Sequence, residues 1–269
     1  MDTRRIGSLE VSVVGLGCNN FGRRIDEAAT REVVHAALDA GITFFDTADI
    51  YGTGKSEEFL GRALGTHRRQ VVLASKFGSP MDEQRKGAKP DYLRRAVDDS
   101  LKRLGTDRID LYQLHTPDEE TPIAETLEAL DGLVKAGKVR EIGCSNFSVE
   151  QLREADRSVK LGRARFVSVQ NEYSLLHRDP EKGVLAECER LGLAVHPVLP
   201  ALERAPDRQV PSRPAAASGH APVRRPARRH AAHGPQPRDR RAADRIRGGA
   251  APPRCSSWRC RGCCRARRQ

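Results

Sequence analysis

The stretch "IDLYQLHTPDEETPIAETLEALDGLVKAGKVREIGCSNFS" (residues 109–148) decides the fold. Its opening run, Ile109–His115, is apolar and aromatic enough to read as a strand. Pro122–Ala136 then carries apolar residues at helical spacing, with Gly137 just beyond it as the residue that ends a helix. Val139–Ser145 reads as a second strand. Ser148 follows and opens a Ser-x-x-Gln capping signature with Gln151. Each of the two strands ends on a polar residue, His115 and Ser145.

The same rhythm extends in both directions. Val11–Leu16, Ile42–Asp46, Val71–Lys76 and Arg165–Gln170 are strand-like. Asp26–Asp39 is predicted helical, with Ala29, Val33, Val34 and Ala37 on one face. Ser56–Leu64, Pro90–Leu104, Ser148–Ala155 and Pro180–Leu191 read likewise, and Gly41 and Gly105 close their helices as Gly137 does. Strict alternation implies a parallel sheet with helices outside. The polar residues Asp46, Lys76, His115, Ser145 and Gln170 end five different strands, as in a closed (β/α)8 TIM barrel. An open sheet would gather its ligands at one switch point. The expected architecture is therefore an α/β barrel with about six βα units intact. Gly15-Leu16-Gly17 lacks a third glycine, because position 20 is Asn, and reads as a tight turn after a strand.

Composition separates this body from the remainder of the chain. The 269 residues carry a net charge of +11, which alone would suggest a basic, nucleic-acid-binding protein. Residues 195–269 hold 18 Arg, no Lys and four acids, a net of +14, whereas residues 1–194 hold 29 bases and 32 acids, a net of −3. All seven Phe and all four Tyr lie in the body. The expected organisation is a partial barrel, 1–194, and an Arg/Pro/Ala-rich tail, 195–269, too poor in apolar residues to order itself. With scarcely an aromatic between its Arg runs, the tail is not expected to bind nucleic acid. Cys255, Cys260, Cys263 and Cys264 lack a histidine pair, so no metal site is expected. No apolar run reaches the roughly 18 residues of a membrane span. Met1-Asp2-Thr3-Arg4-Arg5 has no apolar core behind its charges, so a cytoplasmic protein without membrane contact is expected.

Four residues could move a proton. Asp46 ends a buried strand, and Tyr51 follows in a Gly-flanked loop. Taken singly, Asp46 also suits a helix cap or turn, and Tyr51 a packing role. Lys76 ends an apolar strand, where an ammonium is costly unless paired. His115 is the fourth polar group at that face. A free Tyr titrates near ~10. A nearby ammonium stabilises phenolate and is expected to lower that value, while an imidazole can orient a carbonyl oxygen.

With these residues in place the sequence resembles the aldo-keto reductases. The resemblance rests on "FFDTADIYGTGKSE" (44–57), "LASKFG" (73–78), "IDLYQLHTPD" (109–118), "IGCSNFS" (142–148) and "VQNEYSLLHR" (169–178), five ordered motifs within residues 5–194. It implies a (β/α)8 barrel that reduces small-molecule aldehydes or ketones with NADPH. On that likeness Tyr51 is the general acid, Lys76 lowers its pKa, Asp46 pairs with Lys76, and His115 orients the substrate. Ser145, Asn146 and Gln170 would hold the nicotinamide carboxamide, and no metal takes part. A catalytically inactive NADP-binding sensor or scaffold barrel is the alternative, as is a non-functional truncated product.

The family continues after its sixth unit with a strand reading roughly "FIPYFPLxxGLLTGKY". This chain instead reads "VHPVLPALERAPDRQV" (195–210). Shifted by one base, its codons permit "FIPYFPLSSGLLTGKY". The tail is therefore expected to be an out-of-frame translation, a frameshift after about residue 194.

Overall fold

The computed structural model describes residues 1–198. The chain opens with an antiparallel hairpin, β1 (Thr3–Ile6) and β2 (Leu9–Ser12), joined by a turn at Gly7. A seven-stranded parallel sheet comes next: β3 (Gly15–Gly17), β4 (Phe44–Asp46), β5 (Val72–Phe77), β6 (Ile109–Leu114), β7 (Val139–Ser145), β8 (Phe166–Gln170) and β9 (Ala194–Val195). The strands pair in chain order. One helix fills each connection: α1 (Glu27–Asp39), α2 (Lys55–Leu64), α3 (Pro90–Leu104), α4 (Ile123–Lys135), α5 (Val149–Ser158) and α6 (Val184–Leu191). This is the βα rhythm of the sequence, with its six units and the first strand of a seventh.

The sheet curls into part of a barrel, and two apolar clusters hold it. Outside, the strands pack against the helices. In α3, Tyr92, Leu93, Ala96, Val97, Ser100 and Leu104 are buried at the spacing of one helical face. Inside, Phe44, Val72, Ala74 and Leu111 meet Ile6, Leu9 and Val11 of the hairpin. The hairpin plugs the end of the barrel where the strands begin, and Glu141 pins it by accepting the Ser8 backbone N–H at 2.8 Å.

Several expectations need correction. Val11–Leu16 is not one strand. The Ser12 hydroxyl donates to the Val14 carbonyl at 2.7 Å, and Val13 and Val14 turn outward between β2 and β3. Gly15-Leu16-Gly17 is itself a barrel strand rather than a turn after one. A Cβ at Gly15 would lie 2.7 Å from the Phe44 ring of the paired strand, so a larger residue there would have to displace that ring. In α1, Val33 is exposed and Thr30 is buried in its stead, its hydroxyl donating to the Asp26 carbonyl at 2.7 Å. The predicted helix 180–191 breaks into a short turn at Asp179–Lys182 and α6. The Ser148–Gln151 capping box is present as read.

Residues 195–198, assigned above to the tail, continue the sheet. Val195 pairs with Val169, and Val198 bridges to Glu172. The remainder of the tail, with its expected disorder and its four cysteines, lies outside the described residues. No helix among the described residues is long and apolar enough to cross a membrane.

Candidate active site

The barrel interior changes character along the strands. Above the apolar layer, β4 ends on Asp46, β5 carries Lys76, β6 carries Gln113 and leads into His115, β7 ends on Ser145, and β8 ends on Gln170. The fold thus brings together all seven residues singled out by sequence.

Lys76 has no exposed surface, and its ammonium donates to Asp46 Oδ2 at 2.6 Å and to the Thr47 carbonyl at 3.0 Å. The same Asp46 oxygen accepts from Gln170 Nε2 at 3.2 Å, and Asp46 Oδ1 accepts from Gln113 Nε2, also at 3.2 Å. Tyr51 opens the turn after β4, its ring centroid 5.1 Å from Lys76 Nζ. The His115 ring stands edge-on to it, centroids 5.7 Å apart and planes at 86°.

Burial governs the protonation states. It pushes the Tyr51 phenol up, and the nearby Lys76 charge pulls it down only in part, so the net direction is upward. Lys76 acts in the expected lowering direction, and loss of solvent outweighs it. Burial alone would push Lys76 down, but Asp46 and Tyr51 more than reverse it and hold the ammonium charged. His115 is pushed down to about 4, first by burial and then by the Lys76 charge. Its buried Nδ1 has no partner among the described residues.

Ser145 and Asn146 tie the strand ends together. The Ser145 hydroxyl donates to the Gln170 carbonyl at 2.7 Å, and the Asn146 backbone N–H donates to the same oxygen at 3.0 Å. Asn146 Nδ2 donates to the His115 carbonyl at 3.0 Å and to Ser145 Oγ at 3.1 Å. Asn146 reaches all three strand ends from a left-handed backbone, φ +62°, which Asn tolerates better than most residues. Among the described residues these bonds leave Asn146 Oδ1 and Gln170 Oε1 uncommitted. A cleft of about 530 Å³ opens beside Gln170 between β3 and β9, with Gly17, Asn19, Asp46, Tyr51 and His196 among its lining residues.

Sequence reasoning missed Gln113, His196 and Asp49. Gln113 shares its strand face with Leu111 and His115, so the period of the strand could have placed it. His196 was set aside with the tail. It lies 3.1 Å from Gln170 Nε2 through Nδ1 and edge-on to Phe44. Asp49 sits behind the tyrosine loop with Glu57, which accepts from Ser75 Oγ at 2.5 Å and from Arg103 Nε at 2.7 Å. Burial, with Glu57 second, pushes Asp49 up to about 7. A larger hollow of about 800 Å³, between the loops after β5 and β6, holds none of the site residues. It mixes Lys86, Lys89 and Arg95 with Glu83, Asp91 and Glu120. Among the described residues no group of three or more His, Cys, Asp and Glu could hold a metal ion.

A profile of the aldo/keto reductase family matches residues 13–202. The chain is 42% identical over 185 residues to the aldo-keto reductase YhdN of Bacillus subtilis, covering 66% of this chain and 54% of that protein. It is 38% identical over 206 residues to the NADP(+) aldo-keto reductase yakc of Schizosaccharomyces pombe, covering 72% and 59%. Among solved structures, the holo form of an aldo-keto reductase from Bacillus halodurans superposes with a TM-score of 0.65 at 36% identity, covering 73% of this chain and 65% of that one. A glycerol dehydrogenase from Gluconobacter oxydans does so with a TM-score of 0.64 at 34% identity, covering 73% and 62%. The chain therefore spans between 54% and 59% of the length of these two curated relatives.

Proposed function

The chain belongs to the aldo/keto reductase family, and from that premise we propose that its polar barrel end serves the NADPH-dependent reduction of a small aldehyde or ketone, with Tyr51 as general acid. The observation that carries this reading is the mutual contact of Asp46, Lys76, Tyr51 and His115 at the polar end of the barrel.

Each residue has work to do there. Burial keeps the Tyr51 phenol protonated at neutral pH, so a proton is present to give. As it leaves for the carbonyl oxygen, Lys76 stabilises the phenolate, and Asp46 keeps Lys76 in place. His115, neutral at pH 7, can direct a carbonyl oxygen toward Tyr51 without competing as an acid. The residues also fit the nicotinamide end of the cofactor. Gln170 Oε1 and Asn146 Oδ1 are the acceptors a carboxamide NH₂ needs, while Ser145 acts by tying the Gln170 carbonyl to β7. When bound, NADPH supplies the hydride.

The test is NADPH oxidation by the purified chain with simple aldehydes, against Tyr51→Phe. Turnover should fall by about a hundredfold or more with the melting temperature unchanged; equal turnover in the variant would remove Tyr51 as the acid. The same assay separates a second reading, a barrel that holds NADPH without turning it over. Retained NADPH binding with no oxidation in the unaltered chain would select it. The out-of-frame origin of the Arg-rich segment is a separate proposal. DNA across codons 190–215 checks it, and an alternate frame that meets an early stop would end it.

A further inference from the structure

Gln113 is fully buried near the C-terminal end of β6, where a leucine would pack without polar cost. In the sheet register it stands between Lys76 on β5 and Gly143 on β7. A Cβ at position 143 would lie 3.3 Å from Gln113 Cγ and 2.6 Å from Ser168 Oγ, so the glycine clears the space the glutamine fills. Its Nε2 donates to Asp46 Oδ1 at 3.2 Å, while its Oε1 has no partner among the described residues. An amide that leaves its own oxygen unmatched is held by its donor. Among the described residues that donor makes the one hydrogen bond to Oδ1, because Lys76 and Gln170 both go to Oδ2. Without it a buried carboxylate keeps one oxygen undonated and is held at Oδ2 alone.

We propose that Gln113 is a positioning residue: its carboxamide fixes the rotation of the Asp46 carboxylate and so keeps Oδ2 on the Lys76 ammonium. The proposal deepens the reductase reading and rests on it for the importance of the pair, but its geometry can be tested without turnover.

The experiment uses the full chain and Gln113→Met, which keeps length and volume and removes the donor. Two quantities are measured: the melting temperature, and the solvent-exchange rate of the Lys76 ammonium protons in a ¹⁵N–¹H correlation spectrum, assigned with Lys76→Arg. The melting temperature establishes that the variant is folded, since losing the unmatched Oε1 and leaving Asp46 Oδ1 without its donor act on it in opposite directions. Its Lys76 protons should exchange about tenfold faster, as expected for losing one charge-assisted hydrogen bond. Gln113→Asn, an amide one methylene too short, should speed exchange likewise and serves if the Met variant does not fold. An unchanged exchange rate in either folded variant overturns the proposal. In a chain that turns over, kcat should fall while KM for NADPH stays constant. If the parent shows no turnover, the reductase reading fails, and the exchange measurement still decides the role of Gln113.

Discussion

The two ends of the barrel interior are built from the same three strands and held by different forces. At the lower end Phe44, Val72 and Leu111 face the hairpin residues Ile6, Leu9 and Val11, and nothing there needs a partner. Further along the same strands stand Asp46, Lys76 and Gln113, each buried and each tied to another by a hydrogen bond. Apolar contact tolerates small errors of position, because burial of area is non-directional. A buried ion pair does not, because each charge is costly unless its partner sits within hydrogen-bonding reach. The lower end therefore supplies stability, and the upper end uses some of it to hold buried polar groups in place.

Three experiments press on that contrast. The largest effect belongs to Lys76→Met, which strands Asp46 in the interior and should cost about 3–5 kcal/mol in a denaturant titration. Adding Asp46→Asn should return most of that stability without restoring turnover. If the single variant is no less stable than the parent, the upper end is not held by its ion pair.

The next probe is Asp49, a buried carboxyl near the polar end whose recorded side-chain partner is the Tyr92 hydroxyl at 3.4 Å rather than a cation. Its folded-state pKa, about 7, lies above the ordinary value of 3.8. The folded chain therefore keeps a proton that the unfolded chain releases. Its contribution to stability is complete below pH ~4 and lost as pH rises through about 7. Asp49→Asn should remove that loss, by up to ~4 kcal/mol as a ceiling. Melting curves at pH 5 and pH 8 check it: the variant should gain on the parent at both values, and more at pH 8 than at pH 5. Equal differences at both values would show that Asp49 is solvated.

Leu111→Ala tests the lower end. Emptying a fully buried site beneath the hairpin should cost about 3 kcal/mol. The Lys76 ammonium exchange rate should be unchanged while the chain stays folded. A faster rate would mean that the two ends are one cooperative unit rather than a support and a site.

Much of this was legible in the sequence because its signals are local. Helical and strand periods, Gly137 after α4 and the Ser148 capping box each depend on a few neighbouring residues, and they are found where read. The polar strand ends were legible for the same reason. Alternation along a strand fixes which side chains share a face, so Asp46, Lys76, His115, Ser145 and Gln170 had to meet once the strands were parallel. The failures fall where a distant contact decides. Val11–Leu16 has an unbroken strand pattern, yet a serine hydroxyl divides it and sends its first half to plug the barrel. Val33 fits the inner face of α1 by period, but packing chose Thr30.

By itself the sequence determined the order of elements, the family likeness and the residue types at the polar end. Only the tertiary structure decided what those residues do to one another. It put Gln113 and Gln170 on opposite oxygens of Asp46, brought His196 beside Gln170, and turned the Tyr51 shift upward. The physical reason is that a motif states which charges are near in the chain. Desolvation and hydrogen-bond geometry depend on everything packed around them, and here that packing comes from strands up to 124 residues apart.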